Sequence, residues 1–79
     1  MASNHEQRLT ATADCIQHGA HTAFEVANRL TWTRHKRSYD DLDMFNQILA
    51  IFETMAHLRV LAERELLTET TVDGVAYFA

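Results

Sequence analysis

The chain has 79 residues, 47% hydrophobic and 23% charged, with 7 basic against 11 acidic side chains and a net charge of −4. That length holds one hydrophobic core and not two, and the composition is that of a folding domain rather than a disordered or low-complexity chain. The acidic balance opposes a polyanionic partner unless the few basic residues converge, and a single cysteine, Cys15, excludes an internal disulfide.

From the amino end, Leu9, Ala13 and Ile16 recur at spacings of four and three, which predicts a first helix over about 5–18 that stops near Gly19. Thr22-Ala23-Phe24-Glu25 matches a capping box and starts a second helix over about 22–32, with Phe24, Ala27 and Leu30 on one side. Residues 33–41 lack apolar periodicity and read as a loop, basic at Arg34, Lys36 and Arg37 and ending in acidic side chains suited to a helix start.

A long third helix is predicted over about 42–66, a stretch free of Gly and Pro. Met44, Ile48, Ile51, Met55, Leu58 and Ala62 form one apolar stripe; Phe45, Leu49, Phe52, Ala56 and Val60 form a second beside it. Together they cover roughly 200° of the helix, about twice the stripe a surface helix needs. That leaves Asn46, Gln47, Ala50, Glu53, Thr54, His57, Leu61 and Arg64 for water. The helix is therefore expected to be central or to face two partners. Residues 67–72 and 75–78 flank Asp73-Gly74, a two-residue link suited to a type I′ turn, and predict a hairpin over about 67–78. The whole, residues 1–79, reads as one mainly α domain of winged-helix type, three helices followed by a C-terminal wing.

Catalytic chemistry finds little to work with. His5, His18, His21, His35 and His57 form no H-E-x-x-H, and His18 and His21 lack a nearby third ligand. Glu53 and His57 are four apart on the presumed polar face with no adjacent nucleophile, Cys15 has no base near it in sequence, and two glycines do not make a phosphate-binding loop. No catalytic residue, cofactor or metal ligand is assigned, and the chain is expected not to be an enzyme. No apolar run reaches the roughly 18 residues of a membrane helix or makes a signal peptide, so a soluble, cytoplasmic module is expected.

Trp32 is either a lid on the core or an anchor for another surface. Trp32, Tyr39, Phe45 and Leu61 are the candidates for apolar surface that meets a partner, with Arg59 at its rim. The alternative is a DNA- or RNA-binding winged helix gripping phosphates with Arg34, Lys36, Arg37 and Arg64. Against it, acidic residues at 40, 41 and 43 follow the basic run in sequence and are expected to cancel part of its field within a Debye length of about 8 Å. A third possibility is a homodimer built by pairing the long helices.

Five runs carry a family resemblance: residues 22–27 (T-A-F-E-V-A), 30–33 (L-T-W-T), Asp41-Leu42, 53–58 (E-T-M-A-H-L), and Asp73-Gly74-Val75 with Tyr77. From about Arg8 to Phe78 the chain resembles the winged-helix domain at the C-terminus of a group of metallo-β-lactamase-fold hydrolases. The resemblance implies an accessory domain that packs on a catalytic domain and shapes the approach to its active site. It also implies that zinc belongs to that catalytic domain, whose H-x-H-x-D-H signature is absent here. Relatives often carry Gly near position 65, where this chain has Glu65 followed by Leu66 and Leu67.

Overall fold

A computed structural model describes residues 4–30, 32 and 38–79. Helices α1 (Asn4–Gln17), α2 (Ala23–Arg29) and α3 (Met44–Glu63) are followed by strands β1 (Glu69–Val72) and β2 (Val75–Phe78), with a short 3₁₀ turn at Tyr39–Asp41 before α3. The fold is mainly helical with an antiparallel hairpin, in the expected order.

Two helix ends obey the same geometry with different residues. After α1, the Ala20 N–H bonds the Cys15 carbonyl (3.0 Å) and the Gly19 N–H that of Ile16 (3.2 Å), with Gly19 at φ +104°. After α3, the Leu66 N–H bonds Leu61 O and the Glu65 N–H bonds Ala62 O, both at 3.0 Å, with Glu65 at φ +62°. Both are Schellman stops, in which a left-handed residue lets the chain return to the last orphan carbonyls. Glu65 takes the position that favours glycine, and α3 ends at Glu63, three residues before the predicted end. A left-handed non-glycine residue costs about 1–2 kcal/mol, part of which glycine returns as greater freedom of the unfolded chain. Glu65→Gly is therefore expected to raise stability by about 1 kcal/mol, read as a higher midpoint in urea.

Helix α2 begins as its sequence predicts: Thr22 Oγ1 accepts from the Glu25 N–H (3.2 Å) and Glu25 Oε1 accepts from the Thr22 N–H (3.2 Å). Glu25 Oε1 also takes the His21 N–H at 3.1 Å. These bonds, the His21 N–H foremost and then the Thr22 hydroxyl and N–H, hold the Glu25 carboxyl below its ordinary value of 4.5. A depressed carboxylate contributes stability that is complete above the unfolded value and is lost as pH falls through the folded one. The side-chain NMR titration of Glu25 should thus show a midpoint below 4.5, with the start of α2 loosening as it protonates.

The same helix ends earlier than predicted, at Arg29, because Leu30 is extended (φ −91°, ψ 159°). That turn brings Trp32 back, and its indole N–H donates to Ala27 O at 2.9 Å, meeting a carbonyl that the shortened helix leaves open. At the end of α1 the Arg29 guanidinium does the same for His18 O (2.8 Å). Asp43 caps α3 by accepting the Asn46 N–H at 2.8 Å, so the helix starts two residues later than predicted, and Gln47 reaches back to Tyr39 O.

The core corrects the expected orientation of α3. Its buried residues are Ala50, Thr54, His57, Leu58 and Leu61, all but Leu58 expected to face water; of the first apolar stripe, Leu58 is in the core, Ile51, Met55 and Ala62 pack half-buried against it, and Met44 and Ile48 are exposed. Positions 50, 54, 57 and 61 repeat at four, three and four, one stripe on a helix. Ala50 shares one buried cluster with Ala23, Val26 and Ala27 of α2, small side chains that let two helices approach closely. The phenylalanines of α3 lie outside that cluster.

Strand β2 carries the hairpin's anchor. Asp73 (φ +51°) and Gly74 (φ +80°) make the two-residue turn, and the register pairs Val72 with Val75 and Glu69 with Phe78. Phe78 is buried in the core, its N–H donating to His21 O at 2.7 Å. His21 Nδ1 lies 3.1 Å from Phe78 O; since a carbonyl can only accept, Nδ1 carries the proton. The hairpin is thus clasped to the α1–α2 junction.

Candidate docking surface

Of the large apolar side chains that the core leaves exposed, half stand on α3, and the others are Phe24, Leu66 and, on the hairpin, Val72, Val75 and Tyr77. Met44 is 77% exposed, Phe45 and Phe52 are each 69% exposed, and Ile48 and Leu49 each 47%. At about 100° per residue, Phe45, Phe52 and Ile48 point roughly 180° from the buried Ala50, Thr54 and Leu61. The helix therefore has two apolar sides, one holding the fold together and one turned to solvent. Ala56, Arg59 and Glu63 continue the outer side toward the carboxyl end, all exposed.

The five expected contact residues divide. Phe45 is on the outer face, and Arg59 lies further along it, so those two stand where a partner surface needs them. Trp32, Tyr39 and Leu61 are buried and are corrected to core residues. Trp32 donates its N–H to α2 and is stacked under the Arg8 guanidinium, 4.2 Å from the ring centre. Tyr39 meets Phe24 edge to face at 5.8 Å, and Leu61 belongs to the inner stripe of α3. Ile48, Leu49 and Phe52, absent from those five, complete the outer face; Leu49 and Phe52 belong to the second apolar stripe of the sequence and Ile48 to the first. Of the nucleic-acid candidates, Arg34, Lys36 and Arg37 lie outside the described residues. Arg64 is placed at the end of α3, its guanidinium 3.4 Å from Glu6 Oε1, half exposed.

Other chemistry is sparse. Among the described residues no group of three His, Cys, Asp or Glu side chains could hold a metal ion. His57 is buried rather than on a polar face, and His18 bonds back to Asp14 O (2.7 Å). Burial, opposed by Arg29, pushes the half-buried Cys15 thiol up, away from the thiolate a nucleophile needs. An open groove of about 270 Å³ between α1 and the end of α3 has Leu9, Ala13, Leu61 and Leu66 in its walls and the Glu6–Arg64 pair at its rim. No described helix is long and apolar enough to cross a membrane.

No protein family, curated protein or solved structure matches the chain.

Proposed function

We propose that this chain is a non-catalytic accessory module of winged-helix type that packs against another protein surface through the outer face of α3. The observation that carries this is the set of five exposed large apolar side chains on one helix, of which Phe45, Ile48 and Phe52 stand opposite its buried stripe. A monomer gains nothing from exposing them, and contiguous apolar surface beyond a few hundred Å² marks contact sites. The order of three helices and a hairpin supports the winged-helix assignment. The resemblance of residues 8–78 adds the class of parent, a metallo-β-lactamase-fold hydrolase, in which the module shapes access of substrate to a zinc site on the catalytic domain.

Titration of the chain into a separately made metallo-β-lactamase-fold catalytic domain, alongside sedimentation of the chain alone, tests the proposal. Binding should carry the negative heat-capacity change of apolar burial and be lost in Phe52→Glu. A chain that neither binds that domain nor associates with itself would refute the docking role.

A further inference from the structure

We infer that the outer face of α3 is covered by a second copy of this chain, the two α3 helices packing antiparallel about a two-fold axis near Ile48 and Leu49. This rests on the docking role proposed above and names its occupant.

Three features of the face favour a copy of itself. The first is self-complementarity. An axis between positions 48 and 49 sets Phe45 against the partner's Phe52, Phe52 against the partner's Phe45, and Ile48 against the partner's Leu49. A two-fold interface requires just this, since each patch must match itself after rotation. The second is charge. The amino end of α3 follows exposed Asp40, Asp41 and Asp43, while the outer face carries exposed Arg59 toward its other end, with exposed Glu63 about one turn further on and so farther from the partner's acidic turn. Antiparallel packing brings Arg59 to the partner's Asp40 and Asp41, whereas parallel packing would set the acidic turns against one another. Rim pairs of this kind select orientation more than they add affinity. The third is area. At their exposures the five apolar side chains present on the order of 600 Å², with Ala56 and the rim still to add, against about 800 Å² per partner in a standard stable interface. The patch is the size of one half of a modest dimer, and its affinity is set by how well the two halves fit rather than by area.

The test uses the full 79-residue chain. Sedimentation across a concentration series should show a monomer–dimer equilibrium, and Phe52→Glu should move its midpoint about tenfold or more to higher concentration. Ile48→Lys, at a position that also faces solvent though less fully than Phe52, should do the same, and far-UV circular dichroism should show both variants folded. Orientation is read by mixing Phe45→Cys and Phe52→Cys chains in a Cys15→Ala background and oxidising them. Antiparallel packing predicts disulfides between the two variants in excess of those within either. A strict monomer, a dimer indifferent to both α3 substitutions, or cross-links chiefly between like variants would each overturn the inference. A strict monomer that still binds the catalytic domain would overturn the second copy alone and leave the docking role standing.

Discussion

Phe78→Ala is expected to lose about 3–5 kcal/mol of stability, the range for truncating a fully buried aromatic side chain. A domain of this size has only about 4–12 kcal/mol in total, at roughly 0.05–0.15 kcal/mol per residue. The effect is concentrated because the hairpin has little else in the core. All of β1 is exposed, and in β2 only Ala76, half-buried, accompanies Phe78 inward, with Leu67 just before the hairpin packed against the core edge. The His21 clasp also depends on Phe78, since backbone bonds at 2.7 and 3.1 Å hold only while the strand end stays seated. Urea denaturation gives the global loss, and hydrogen exchange should show hairpin amides losing protection before those of α3. Phe78→Leu, which keeps most of the volume, should retain much of the stability. If the alanine variant unfolded at the same urea concentration as the parent chain, the anchoring role of Phe78 would be wrong.

Thr54→Val is expected to act in the opposite direction, raising stability by about 1–2 kcal/mol. Thr54 is fully buried, and its Oγ1 has no hydrogen-bond partner. A buried hydroxyl without a partner bears the loss of its water, about 1–3 kcal/mol, with no bond in return, and valine keeps the shape without the oxygen. Thr12 provides the control on α1. It is equally buried, but its hydroxyl donates to Arg8 O at 2.8 Å, so Thr12→Val should cost about 0.5–1.5 kcal/mol. For a domain of this size a gain of 1 kcal/mol corresponds to a rise in Tm of about 4–8 °C. Thermal melts of the two variants should therefore move apart. A fall in the Tm of Thr54→Val would mean that the hydroxyl is bonded after all.

Sequence pattern reached the local features and missed one that depends on size. The capping box at Thr22, the stop at Gly19, the acidic start of α3 and the Asp73-Gly74 turn were legible because each is fixed by neighbours within a few residues. The ends of α2 and α3 were not, since the backbone turns extended at buried Leu30 with Trp32 bonded back to Ala27, and Glu65 adopts a conformation its residue type disfavours. The larger miss concerned which side of α3 faces inward. Bulk is the sign of burial that sequence offers, yet the buried cluster joins Ala50 to Ala23, Val26 and Ala27 of α2, and the phenylalanines of α3 are left outside it. The surplus of apolar circumference was readable from spacing alone; its direction required knowing the size of what α2 presents. Trp32, Tyr39 and Leu61 were misplaced because a candidate contact residue and a core residue look alike in sequence.

The clasp between His21 and Phe78 joins positions 57 apart, so seating the last strand encloses most of the chain in a single ring. Loop-closure entropy grows as about (3/2)RT ln n, whereas the two-residue turn that forms the hairpin closes almost locally. The hairpin can therefore assemble early on its own yet be fastened late, and in the native ensemble it forms the unit whose detachment requires the least of the rest to come apart.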